Sequence, residues 1–249
     1  MQIKKYIPNT ITSLNLLCGV LSVTMAFAGD LRAAALLIIA GAIFDFFDGF
    51  VARALHVSGE MGKELDSLAD NISFGLAPAA MYSVYLKWHL TGDTQTPLLC
   101  LADDMPTFAL VLCPLILAVF AGLRLAKFNI DKRQTENFLG LTTTATGLFT
   151  ASLLWMLTDQ TQDIFRTYLT PTVVIAMVMI FCALLVSEIP MFSLKVKHMT
   201  LKGNELRIIL LMVGVISITL MGLGGLSLTI ALYTIFSIVR WLIGLARNK

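Results

Sequence analysis

The chain has 249 residues, of which 57% are hydrophobic and 14% are charged, and its formal net charge is +2. Soluble domains carry roughly 25% charged residues, so this composition excludes an ordinary soluble fold. The small net charge also argues against a nucleic-acid-binding protein.

Long apolar blocks separated by short polar stretches predict about eight transmembrane helices, and therefore an all-α, polytopic membrane helix bundle. The first block follows Lys4 and Lys5, and no convincing small-residue cleavage site comes after it, so we expect a retained helix rather than a signal peptide. The predicted spans lie near 11–28, 32–55, 64–88, 107–128, 139–157, 169–187, 207–222 and 225–245.

The distribution of basic residues predicts the orientation of the bundle. An even number of spans places both termini on one side of the membrane. If that side is cytoplasmic, 15 of the 18 Lys and Arg residues lie in inner segments, and the outer segments hold only Arg32, Lys87 and Arg166. Cytoplasmic loops are enriched in Lys and Arg, so an N-in, C-in topology is expected. No linker or repeat divides the chain, which predicts a single domain over residues 1–249.

Four aspartates lie at the junction of the second and third predicted spans, where the sequence reads DFFDGFVARALHVSGEMGKELDSLAD. Asp45 and Asp48 are three residues apart, and Asp66 and Asp70 are four apart, so each pair shares one helix face. Gly59 and Gly62 flank the predicted turn that brings the two faces together. Intramembrane carboxylates are costly and are usually functional.

Carboxylate oxygens at this density favour Mg²⁺ or Mn²⁺ over zinc, and two divalent ions are the natural occupancy. Gly49 and Ala52 leave room for a phosphate-bearing ligand, and Arg53 can contact a phosphate. The pattern therefore predicts phosphoryl transfer.

Two other interpretations of the aspartates stay open. A structural ion-pair network could include Glu60, Arg53 and Lys63, but four acids against two bases leave an excess of negative charge. A cation or proton transporter also uses buried acids, although usually near the bilayer midplane on discontinuous helices.

The segment from Asp45 to Asp70 resembles the signature of the CDP-alcohol phosphatidyltransferase family, D-x2-D-G-x2-A-R-x8-G-x3-D-x3-D, at every fixed position. The resemblance implies that the first three aspartates bind metal and that Asp70 contributes to the metal site and acts as the catalytic base. The segment PNTITSLN, from Pro8 to Asn15, resembles the part of the family that lies beside the nucleotide. The CDP-diacylglycerol contacts expected from these matches and from the turn are Asn9, Thr12, Gly49, Ala52, Arg53, Gly59 and Gly62.

Three further segments, DNISFGLAPA (70–79), GLRLAKFN (122–129) and VSEIP (186–190), resemble the phosphatidylserine synthase branch of this family. The branch implies transfer of a phosphatidyl group from CDP-diacylglycerol to L-serine. It also implies a core at about 8–190 with an additional C-terminal helix pair at about 205–246. A homodimer in the cytoplasmic membrane, with its active site facing the cytosol, is expected on the same grounds.

One segment departs from the branch pattern, because GLTTTATG (140–147) stands where a proline-rich segment is usual. The change either alters the acceptor pocket or only makes the start of one helix less rigid. We favour the second explanation because threonine is tolerated at helix N-termini.

A serine site needs a cation for the carboxylate and acceptors for the ammonium group. For Arg124 and Lys127, an ordinary basic border of the membrane is an equally good explanation. Glycerol 3-phosphate and inositol stay open as alternative acceptors, although a phosphorylated acceptor favours several convergent arginines. The serine-binding candidates are Asn71, Ser73, Arg124, Lys127 and Asn129.

Overall fold

The computed structural model describes residues 3–57, 59–93, 98–131, 138–157, 167–191 and 205–247. These residues are mainly helical, as predicted. The first helices are α1 (Ile3–Phe27), α2 (Leu31–Ala54), α3 (Glu60–Asp70), a π-helical segment (Asn71–Leu76) and α4 (Ala77–Thr91). They are followed by α5 (Met105–Leu112), α6 (Ile116–Ile130), α7 (Thr143–Leu157), α8 (Pro171–Val186), α9 (Glu205–Met221) and α10 (Gly225–Arg247).

Within the described ranges, four helical stretches are long and apolar enough to cross a membrane. They are Tyr6–Phe27, Leu31–Ala54, Met105–Ile130 and Leu206–Ala246, and the last contains α9 and α10. The helices α7 and α8 are apolar but shorter. The chain is therefore a helical membrane protein. Eight spans and an N-in, C-in orientation stay predictions, and part of the basic charge behind that orientation, at 132–133 and 192–204, lies outside the described residues.

The reversal between α2 and α3 has its left-handed backbone outside the two glycines that flank it, among the residues that the structure describes there. The left-handed residue here is His56, with φ of 53°. Gly59 is extended, with φ of −164°, and precedes the first residue of α3, while Gly62 lies inside that helix. The missing side chain of Gly62 instead makes room for α1, because a Cβ there would lie 3.1 Å from Asn9 Oδ1. Gly59 thus borders the turn at the start of α3, as the sequence predicts, and Gly62 lies within the first turn of that helix.

The departure at 140–147 forms a helix start. Gly140 has φ of 73°, and a Cβ there would lie 2.8 Å from the carbonyl oxygens of Leu184 and Ser187. Thr142 follows, and its Oγ1 accepts a hydrogen bond of 3.2 Å from the amide of Ala145, which caps the first turn of α7. A two-residue antiparallel pair, Phe138–Leu139 with Pro190–Met191, joins this start to the chain beyond α8. Threonine thus supplies a helix cap in place of the usual prolines.

The π-helical segment packs closely on α1. Ser73 Oγ donates a hydrogen bond of 2.9 Å to the carbonyl oxygen of Asn15. One turn further along α1 is Gly19, where a Cβ would lie 2.8 Å from the Cα of Ser73. Since that contact involves backbone atoms, no side-chain rotation relieves it. A glycine at position 19 is therefore required for the approach of α1 to the helix that carries Asp70.

We expect Gly19→Ala to lower the stability of the protein by about 1–3 kcal/mol, because overpacking at a fixed backbone contact forces the helices apart. Thermal unfolding in detergent measures the effect. The control is Gly244→Ala on α10, where no atom lies within 4 Å of the added Cβ. Equal melting temperatures for the two variants would contradict the packing described here.

Candidate active site

Three aspartates from two helices meet at one point. Asp45 and Asp48 lie in the last three turns of α2, and Asp66 lies on α3. One carboxylate oxygen from each of the three falls within 4.8 Å of the other two. Asp48 is buried, with 7% of its surface exposed, and the other two are half-buried. The spacing of each pair and the packing of α2 and α3 near α1 together produce this cluster.

Asp70 lies at the end of α3, one turn beyond Asp66, and is half-buried. Its charge interacts with those of Asp45, Asp66 and Asp48, so all four predicted aspartates share one electrostatic environment. The guanidinium of Arg124, from α6, is also close enough to interact with Asp70. Asp70 thus interacts both with the three-aspartate cluster and with the basic side chain of α6.

Helix α1 donates hydrogen bonds to one aspartate on each side of the junction. Thr12 Oγ1 donates to Asp48 Oδ2 at 2.6 Å. Asn15 Nδ2 donates to Asp70 Oδ1 at 3.4 Å. The two donors are three residues apart and so share one face of the helix. Sequence reasoning missed Asn15, although it ends the segment PNTITSLN that was singled out and shares a face with Thr12.

The predicted nucleotide contacts surround the same junction. A Cβ on Gly49 would lie 3.3 Å from Arg53 Nη1, so the exposed guanidinium of Arg53 folds over Gly49. Ala52 is half-buried, and Gly59 is exposed with no atom within 4 Å of a Cβ placed there. Asn9 approaches Gly62, as described above. The hydroxyl of Thr12 donates its hydrogen bond to Asp48, so Thr12 holds that carboxylate in place.

Three of the five serine candidates have structural partners. Ser73 bonds to the backbone of α1. Asn129 Nδ2 donates to Ser67 Oγ at 2.9 Å, and the Asn129 carbonyl oxygen accepts from Lys63 Nζ at 3.0 Å, which ties α6 to α3. Lys127 forms an ion pair of 3.2 Å with Glu188. These contacts give each of the three a clear role in packing.

Asn71 and Arg124 differ from those three, because each carries a buried polar atom without a hydrogen-bond partner in the described structure. The atoms are Asn71 Oδ1 and Arg124 Nε. Asn71 follows Asp70 directly, and its amide fits between two glycines: a Cβ on Gly75 would lie 3.0 Å from its Oδ1, and a Cβ on Gly122 would lie 3.5 Å from its Nδ2. Buried polar groups are normally paired, so an acceptor and a donor left unpaired near Asp70 are suited to a polar ligand.

The donor set fits a divalent cation that prefers oxygen ligands. Mg²⁺ binds carboxylate oxygens at about 2.0–2.1 Å, so two oxygens on opposite sides of the ion lie about 4.2 Å apart. The three carboxylate oxygens lie within 4.8 Å of one another and need to move little to reach such an ion. The site can therefore hold a divalent metal ion.

The fold and the site together define a helical membrane protein with a carboxylate cluster that is suited to metal-assisted phosphoryl transfer. A family model described as CDP-alcohol phosphatidyltransferase matches residues 5–189. The chain belongs to this family.

Individual relatives carry more specific names. A CDP-diacylglycerol–serine O-phosphatidyltransferase of Bacillus subtilis is 37% identical over 137 residues, which are 55% of this chain and 68% of the relative. One of the same name from Helicobacter pylori is 28% identical over 237 residues, 94% of this chain and 90% of the relative. An archaetidylserine synthase of Methanothermobacter thermautotrophicus is 34% identical over 139 residues, 54% of this chain and 52% of the relative.

Removal of one carboxylate from the cluster should weaken metal binding. We expect Asp45→Asn and Asp66→Asn to raise the apparent Kd for Mn²⁺ by about 10-fold or more, because each substitution removes an anionic ligand. Electron paramagnetic resonance of Mn²⁺ added to protein purified in detergent measures the affinity. The matched control is Asp30→Asn, at the opposite end of α2, where the side chain caps the helix by accepting from the amide of Ala33. Unchanged affinity in the cluster variants would contradict the assignment.

Proposed function

We propose that this protein transfers the phosphatidyl group of CDP-diacylglycerol to the hydroxyl of L-serine, giving phosphatidylserine and CMP. The observation that carries the proposal is the convergence of three of the four signature aspartates, Asp45, Asp48 and Asp66, in a member of the CDP-alcohol phosphatidyltransferase family. The choice of serine is supported by the names of the relatives from Bacillus subtilis and Helicobacter pylori. The unpaired polar atoms beside Asp70 provide independent support for a small polar acceptor.

In this proposal Asp45, Asp48 and Asp66 hold the metal, with a contribution from Asp70, and the site takes two ions of Mg²⁺ or Mn²⁺. When bound, the ions neutralise the pyrophosphate and make CMP a better leaving group. Arg53, exposed at the end of α2, contacts a phosphate of the nucleotide. Small residues at positions 49, 52 and 62 let the CDP moiety approach the helices, with Asn9 and Gly59 at its edge.

The transfer is a single displacement at phosphorus. The serine hydroxyl oxygen forms a bond to the phosphorus that carries diacylglycerol, and the bond from that phosphorus to the bridging oxygen of CMP breaks. CMP leaves with the electron pair, and Asp70 accepts the hydroxyl proton. Asp70 suits this role because its carboxylate interacts electrostatically both with the aspartate cluster and with Arg124, the residue proposed to bind the acceptor.

The acceptor site follows from the two unpaired polar groups. Arg124 is 7% exposed, and its guanidinium lies 5.7 Å from the centre of the Phe128 ring, so the charge is held inside the protein. The arginine binds the carboxylate of serine, and Asn71 Oδ1 accepts from the ammonium group. Lys127 lies one helical turn from Arg124 and pairs with Glu188, which offsets its charge. Ser73 and Asn129 support the site through the helices that they join.

The membrane arrangement belongs to the same proposal. Eight spans with both termini in the cytosol would place the site near the cytosolic face of the cytoplasmic membrane. CDP-lipid headgroups and serine are available there.

The chain would form one domain, with a core at about 8–190 and a C-terminal helix pair. The packing of this helix pair on the core is supported by Ser152 on α7, whose Oγ shares its proton between the carbonyl oxygens of Leu223 and Gly224 at 2.7 and 3.0 Å. A homodimer is proposed from family resemblance alone.

The decisive experiment is CMP release by the purified protein in detergent, with CDP-diacylglycerol, Mn²⁺ or Mg²⁺, and one acceptor at a time. We expect release with L-serine and no release without metal. Release with only glycerol 3-phosphate or inositol would keep the reaction class and reject serine. A folded protein that releases no CMP with any acceptor would reject the transferase function and favour cation transport.

Substitution of the proposed base separates catalysis from binding. Asp70→Asn should abolish turnover while retaining CDP-diacylglycerol binding.

Substitution of the proposed carboxylate-binding residue should affect one substrate selectively. We expect Arg124→Ala to raise the KM for L-serine by about 10-fold or more and to leave the KM for CDP-diacylglycerol nearly unchanged, because a charge-assisted hydrogen bond to the acceptor is lost. Steady-state kinetics with each substrate varied in turn measures the two constants. Arg240→Ala, on α10, serves as a control for loss of one positive charge. An unchanged KM for serine removes Arg124 from the acceptor site.

A further inference from the structure

Asn15 is a buried amide in the middle of the first membrane helix, and neither the signature nor the expected nucleotide contacts include it. Its side chain is fully buried, with 0% of its surface exposed. The amide nitrogen donates to Asp70 Oδ1 at 3.4 Å. The hydrogen bond joins residues 55 positions apart and links α1 directly to the proposed catalytic carboxylate.

The surroundings of Asn15 hold its amide in this orientation. Its backbone carbonyl oxygen accepts from Ser73 Oγ at 2.9 Å, so the same residue contacts the helix of Asp70 twice. Its Oδ1 faces α2, where a Cβ on Gly41 would lie 2.9 Å away. The reverse orientation of the amide would direct an oxygen at the Asp70 carboxylate, which is unfavourable because both groups are acceptors.

The buried amide of Asn15 lowers the stability of the folded protein. Asn15 Oδ1 is buried without a hydrogen-bond partner in the described structure, and such an atom destabilises a protein. An apolar residue of the same size, such as leucine, would avoid this penalty in a helix that crosses the membrane. A neutral donor also has an advantage over lysine or arginine, because it fixes a carboxylate without adding a positive charge that competes with the metal.

We propose that Asn15 is a positioning residue for the transfer reaction. Its amide fixes Oδ1 of Asp70, so that Oδ2 is directed at the acceptor hydroxyl and takes the proton. Thr12, one helical turn earlier, does the same for Asp48, and thus the polar face of α1 orients one carboxylate for the metal and one for the proton. The inference rests on the proposed function, since it assigns the geometry of that reaction.

The test compares kcat with substrate and metal affinity in Asn15→Leu, assayed in detergent with CDP-diacylglycerol, L-serine and Mn²⁺. We expect kcat to fall by about 10–100-fold, the usual effect of losing a residue that orients a functional group. The KM for CDP-diacylglycerol and the half-saturating Mn²⁺ concentration should change by less than about threefold. The rise in melting temperature produced by CDP-diacylglycerol and Mn²⁺ should equal that of the wild type.

Two variants on the same helix separate positioning from general damage. Thr24→Ala removes an exposed hydroxyl that donates to the Val20 carbonyl oxygen, near the far end of α1 from the nucleotide segment, and it should leave kcat unchanged. Thr12→Val removes the bond to Asp48 and should raise the half-saturating Mn²⁺ concentration instead. If Asn15→Leu does not purify as folded protein, Asn15→Ala is measured in the same way, because it adds no bulk against α2.

The outcomes distinguish this inference from the function on which it rests. If the wild type turns over substrate and the Asn15 variants have the same kcat, the positioning role is wrong. The proposed function then stands. A loss of kcat that is accompanied by loss of the ligand-induced thermal shift, or that is restored by more Mn²⁺, also overturns the positioning role. No turnover by the wild type overturns the proposed function, and the role of Asn15 with it.

Discussion

The repulsion among four carboxylates inside a helical membrane protein is the constraint on which the rest of this structure depends. Charged groups in such a setting are costly unless they are paired or bind a cation. Here the carboxylates of Asp45, Asp48 and Asp66 approach within 4.8 Å, and Asp70 shares their environment. The arrangement is suited to a divalent cation, because an ion at the centre of the three oxygens turns mutual repulsion into attraction.

The polar face of α1 completes this arrangement. Hydrogen bonds from Thr12 and Asn15 hold Asp48 and Asp70. The close approach of α1 depends on small residues, since Gly19 and Gly41 leave space against the π-helical segment and against Asn15. Packing and chemistry are therefore linked: the glycines that let the helices approach also bring the donors within reach of the acids.

The side of the site that faces α6 has a different character. Asn129 and Lys127 bond to other parts of the fold, whereas Asn71 and Arg124 each keep a buried polar atom without a partner among the described residues. Asn71 belongs to the π-helical segment that begins after Asp70, and π-helical turns occur frequently at functional sites. The wider turn displaces the side chains after Asp70 from the regular helical positions and places the Asn71 amide between Gly75 and Gly122.

The sequence by itself determined the class of the protein and the acidic residues that gather at its centre. Apolar block length implies membrane helices, and the spacing of the aspartates places each pair on one face, because both depend on local helical geometry. Only the tertiary structure decided the turn at His56, the pairing of Asn15 with Asp70, and which serine candidates keep unpaired polar atoms. These features depend on contacts between residues far apart in the chain, such as the 55 positions from Asn15 to Asp70. Helical periodicity carries no information about which face of one helix meets which face of another.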